Sequence, residues 1–155
     1  MTSTITAGTL KVTIRESITL KGKDQGSTTE LSITNINEIS SRIITVPASE
    51  VEIIAISTAV SSGTFVEGNV RYIRITNLDD TNHVTLIFKD EDATEFAIKV
   101  DAGHSFIYPG DNSGGVVDTM HAGGSALTVS LNDLVNITAE ADTAACDLEL
   151  FIASV

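Results

Sequence analysis

Three histidines, one cysteine and a few runs of carboxylates are the side chains of this sequence whose chemistry reaches beyond packing. His83, His104 and His121 each stand among turn-forming residues. None has a second ligand at the helical or hairpin spacing that zinc sites use, so they read as turn histidines, with His104 and His121 able to meet only across the glycine-rich stretch between them. Asp79-Asp80, Asp90-Glu91-Asp92 and Asp111-Asn112 supply the hard oxygen atoms that calcium prefers. They match no twelve-residue EF-hand loop, however, and turn aspartates commonly bond their own backbone. The same turns could bring two carboxylates together as glycoside hydrolysis requires, but so could the turns of any sheet protein. Cys146 follows Ala144 and Ala145, the setting of a buried, inert thiol, and a single cysteine forms no disulfide within the chain.

Other signatures are missing. No GxSxG elbow occurs, and Gly103, Gly110, Gly114 and Gly115 precede no helix whose amino end could hold an anion. Asn136-Ile137-Thr138 fits the glycosylation acceptor pattern, yet the amino terminus MTSTITAGTL has neither the basic region nor the apolar core of a secretory signal. The expectation is therefore synthesis in the cytoplasm, with Asn136 in a strand. Tryptophan is absent and aromatic residues make up 5% of the chain, few for a sugar-stacking platform. Tyr72, opposite Ile73 and Ile75, is expected to pack against Arg74 or a neighbouring subunit. The expectation is a protein that is not an enzyme and has no catalytic residues, metal or cofactor.

Composition points the same way. With a formal net charge of -12 and nine basic residues that form no obvious patch, the chain lacks the cation density that displaces counterions from phosphates, so no nucleic-acid partner is expected. No stretch approaches the roughly 20 apolar residues of a membrane helix. A hydrophobic fraction of 42% beside 19% charged residues leaves Thr, Ser and Asn to make the polar surface, a mix that suits strands and subunit interfaces. At 155 residues one domain spanning residues 1–155 is expected, with residues 1–9 as a possible extended segment.

The elements that must position these residues are strands. Leu10, Val12 and Ile14 alternate with Lys11, Thr13 and Arg15, Ile18 and Leu20 extend the pattern, and a turn over residues 21–26 returns the chain to Leu31 and Ile33, which predicts a hairpin. Further strands are predicted over residues 42–46, 50–57, 70–77, 83–89, 94–101, 126–130, 134–139 and 147–154, and a long loop over residues 109–124. Val84, Leu86 and Phe88 are expected to face Phe96, Ile98 and Val100. A short helix at residues 36–40 or 131–135 is the one alternative to strand. About ten strands at this spacing describe an all-β, antiparallel β-sandwich or barrel.

In residues 50–57, Val51, Ile53 and Ala55 alternate with Ile54 and Ile56. Read with a strict period of two, both faces of that strand are apolar, as in a strand held between layers or at a subunit contact. Ile54, Ile56, Ile87 and Phe151 are accordingly predicted to point outward and, with Tyr72, to form contacts between copies.

The runs VRYIRITNLDDTNHVTLIF, EFAIKVDAGHSFIY and CDLELFIASV, with the opening TLKVTIRESITLKGKDQGSTTELSITNINEISSRIITVP, resemble the small β-sandwich structural proteins of tailed bacteriophages, particularly those of marine and cyanobacterial phages. That resemblance implies a jelly-roll-like sandwich serving as a head decoration or cement protein, or alternatively as a tail or fibre component with a receptor- or glycan-binding role. It further implies a homo-oligomer, preferably a trimer, with the major capsid protein or tail proteins as partners and the virion as its destination.

Overall fold

Period-two alternation is converted into sheet along most of the chain. The computed structural model describes residues 5–108, 117–118 and 132–155, and these are all-β, interrupted only by a short 3-10 turn at Glu67–Asn69. In chain order the strands are β1 (Gly8–Arg15), β2 (Thr19–Leu20), β3 (Lys23–Asp24), β4 (Thr28–Ile36), β5 (Glu38–Val46), β6 (Val51–Ser57), β7 (Thr64–Val66), β8 (Val70–Asn77), β9 (Val84–Asp90), β10 (Glu95–Val100), β11 (Ser105–Tyr108), β12 (Val117–Asp118), β13 (Asn132–Ala141) and β14 (Cys146–Ser154).

Two sheets enclose the main core. One runs β10-β9-β13-β6-β7, with β12 also paired to β13; the other runs β11-β8-β14-β5. All their pairings are antiparallel except β6 with β7. Val84, Leu86 and Phe88 of β9 lie opposite Val100, Ile98 and Phe96 of β10, as the sequence predicts. Phe88 stacks on Phe96 at 4.5 Å and also meets Phe106, from the other sheet, at 5.0 Å. Ile73 and Ile75 of β8 and Leu148, Leu150 and Ile152 of β14 complete this dry layer.

The ladder between β6 and β13 corrects the two-faced reading of residues 50–57. Ile137 pairs with Ile54 and Thr138 with Glu52, so Ile53 has no opposite number. This β-bulge restarts the alternation. Ile53, Ile54 and Ile56 are all buried in the one core with Val51 packed beside them, while Glu52 remains exposed. The bulge also leaves the Ile53 carbonyl to be met from the opposite sheet, where the Arg42 guanidinium of β5 donates to it at 2.7 Å.

Two turns are held by buried polar groups. Asn77 is fully buried; its amide donates to the carbonyls of Asn82 and Val100, and its Oδ1 accepts from the Asp79 amide. Asp90, 2% exposed, accepts from the Thr94 amide and, at 3.4 Å, from the Asn132 side chain. These bonds offset the cost of taking polar groups out of water.

A third layer lies outside the sandwich. β1 and β4 form a separate two-stranded ribbon. Its tip is the β2–β3 hairpin, whose Lys21-Gly22 loop has positive φ at both residues (52° and 77°), as a type I′ turn requires. Gly26 sits where a Cβ would stand 2.2 Å from the Glu16 carbonyl oxygen, so the ribbon needs glycine there to close.

The helix considered at residues 36–40 is instead the end of β4 and the start of β5, where Ile39, Ser41 and Ile43 keep a strand period against β14. The part of residues 131–135 that is described belongs to β13. The strand predicted at residues 126–130 lies outside the described residues, as does the loop at 109–124 apart from β12.

Candidate functional site

The ribbon has one apolar face. Leu10, Val12 and Ile14 of β1 share a side by alternation, and their register partners on β4 include Ile33 and Leu31. At its base this face lies on the outer side of the four-stranded sheet, where Ile33, Ile36, Tyr72 and Ala153 form a second buried cluster with Ile107 and Phe151 against it. Tyr72 meets Phe151 edge-on at 6.0 Å and 72°. Arg74 lies 5.9 Å from the Phe151 ring and pairs with Glu149 at 2.7 Å. Burial raises the Tyr72 pKa above its ordinary value, with nearby Arg74 acting in the opposite sense.

Farther along, the ribbon loses its support. Ile33 is 7% exposed, but Leu31 is 38%, Ile14 43%, Ile18 54% and Leu20 59% exposed. The ribbon thus overhangs with large aliphatic side chains open to water, each forgoing part of the roughly 1.5–3 kcal/mol that full burial provides. A two-stranded ribbon is at best marginally stable by itself. Beside its base, the outer face of β5 is also open, with Ile39 57% and Ile43 64% exposed. A gap of about 340 Å³ separates the two, lined in part by Leu10, Ile36 and Ile39.

Charge divides along the same line. Residues 8–36 hold Lys11, Arg15, Lys21 and Lys23 against Glu16, Asp24 and Glu30, a balance of +1. The remaining five cations and eighteen acids give the rest of the chain -13. Four of the nine basic residues lie on this one ribbon, interspersed with Glu16, Asp24 and Glu30.

The predicted contact residues divide. Ile54 and Ile56 do not point outward; the bulge at Ile53 turns both into the core. Tyr72 is likewise buried, beneath this chain's own ribbon. Phe151 does face out of the sandwich, half-buried under the same ribbon. Ile87 is half-buried on the outer side of β9, in register with Ala97 and Thr138. The ribbon overhang and β5 carry six exposed aliphatic side chains instead, with Ile5, Val60 and Leu78 exposed elsewhere. Alternation showed β1 to be half-apolar, but nothing in a single strand's pattern tells how far its partner sheet extends.

The candidate chemical residues are tied into turns. Asp79 accepts from the amides of Asn82 and Thr81, which hold its pKa below the usual carboxylate value. His83 Nδ1 lies 3.6 Å from Asp142, and His104 Nδ1 lies 2.9 Å from the Ala102 carbonyl. His121 and Asp111-Asn112 fall outside the described residues. Among the described residues no three His, Cys, Asp or Glu side chains converge as metal ligands would. Cys146 is fully buried, and burial, then the Asp79 charge, raise its thiol pKa. Asn136 lies in β13 and donates to Glu52 at 3.1 Å. No helix of the described residues is long and apolar enough to cross a membrane.

Comparison with protein-family models, curated proteins and solved structures finds no match to this chain.

Proposed function

We propose that this protein is a structural subunit that works through protein–protein contacts, and that its place is the particle of a tailed bacteriophage, as a decoration or cement protein on the head. The carrying observation is the ribbon that leaves Ile14, Ile18, Leu20 and Leu31 open beyond its own sheet. Exposed aliphatic side chains on a poorly supported hairpin gain most from a protein neighbour that covers them. The sequence resemblance supports the virion setting, with jelly-roll kinship and a trimeric form as its finer expectations; the major capsid protein is then the partner outside the oligomer.

Quantitative mass spectrometry of purified particles tests this reading. A cement protein is present in copy numbers comparable to the capsid lattice. A handful of copies places it in the tail or fibre, and absence from particles overturns the virion assignment.

A further inference from the structure

We propose that the overhanging ribbon of one copy seats on the outer face of β5 in a second copy, and that this contact repeats around a closed ring of copies. This deepens the structural-subunit reading by naming the partner of its exposed surface.

Three observations select a second copy. First, each chain carries both halves of the contact on the same side of the same sheet. The ribbon overhang presents Ile14, Ile18, Leu20 and Leu31, while β5 presents Ile39 and Ile43. A ring in which each copy's ribbon seats on β5 of the next therefore covers both surfaces on every copy and closes without leaving a free end.

Second, the charges are complementary. The ribbon brings Lys21 and Lys23 at its tip. Glu38 starts the receiving strand, and beyond its far end Asp79, Asp80 and Asp147 line a concavity that includes exposed Leu78. A balance of +1 on the ribbon segment faces -13 on the rest of the chain, so attraction favours exchange over contact between two acidic bodies.

Third, the order of side chains along the two surfaces agrees. Apolar side chains precede the lysines on one, and apolar side chains precede the acids on the other. The gap beside Leu10 and Ile39 gives the incoming ribbon room. Among the described residues β5 is the end strand of its sheet, bonded to β14.

Sedimentation velocity of the full chain over a dilution series, with Leu20→Asp, Ile43→Asp and Lys21→Glu/Lys23→Glu variants, tests the proposal. The expected result is reversible association of the wild type, weakened roughly tenfold or more by each variant, with circular dichroism and the melting of the dilute, dissociated chain unchanged because these positions are exposed. Salt should weaken the wild-type association as well. A Leu20→Cys/Ile43→Cys chain should form an intermolecular disulfide under mild oxidation, whereas either single variant should form no such Leu20–Ile43 link. A wild type that stays monomeric at its highest soluble concentration, or variants that associate as it does, overturns the proposal. If that monomer still binds particles and Leu20→Asp abolishes the binding, the ribbon's partner is a different protein; self-docking is then wrong while the structural-subunit reading stands.

Discussion

Ile53 and Ile54, neighbours in sequence, are both buried in the same core because the β6–β13 ladder steps past Ile53. In a regular strand they would face opposite layers. The bulge spends one residue without a partner, and Arg42 from the opposite sheet takes up the carbonyl there. A strand that reads as apolar on both faces is in this way fully satisfied within one chain.

Substitution at Ile54 measures this directly. Ile54, 1% exposed, should cost about 2–5 kcal/mol when truncated to Ala, the range for a deleted core side chain. Ile54→Lys should fail to fold, because its ammonium has no buried partner. Urea unfolding followed by circular dichroism gives both values. A folded Ile54→Lys monomer of wild-type stability would show that Ile54 faces outward after all.

Asn77 should be nearly as sensitive despite its polarity. Its side chain bonds the Asn82 and Val100 carbonyls and the Asp79 amide. Asn77→Ala leaves those buried groups short of partners and should cost about 1–3 kcal/mol. Asn77→Asp should be worse, since a carboxylate cannot donate to the two carbonyls. Thermal melts of both variants check the order.

Two carboxylates should respond to pH with opposite signs. Asp79 has a lowered pKa, from the amides of Asn82 and then Thr81. Its contribution is present above the unfolded-state value and is lost as pH falls through the still lower folded value. The stability advantage of wild type over Asp79→Asn should therefore shrink on acidification.

Glu67 has a raised pKa, from partial burial first and then from the charges of Asp133 and Glu91. Stability linked to it is full below the unfolded-state value and declines as pH rises through the folded one. Glu67→Gln should match wild type in acid and melt slightly higher at neutral pH, by no more than about 0.5 kcal/mol, as for other surface changes. Melting curves across pH 3–8 separate the two signs, and parallel curves for either pair would contradict the assignment.

The strands were legible because alternation marks them. Residues 70–77 match β8 in full, and the Phe88–Phe96 register follows from apolar residues meeting across a short acidic turn. The three-residue β7, which pairs parallel to β6, was not legible, being too short to show a period. Nor was the bulge at Ile53, since one skipped residue changes hydrogen bonding without changing composition. The contact residues were misplaced for that reason at Ile54 and Ile56. At Tyr72 the cause differs: its cover comes from a ribbon some forty residues earlier in the chain, and strand patterns say nothing about which layer lies over which.

Amide hydrogen exchange over the ribbon tests the central claim most directly, since a hairpin that needs a protein neighbour should be only weakly protected without one. Amides of residues 14–31 should exchange fast in the dilute chain while β8, β9 and β14 stay protected, and should slow markedly once the chain is assembled with its partners. Equal exchange of residues 14–31 in the dilute and assembled states would show that the overhanging ribbon joins nothing.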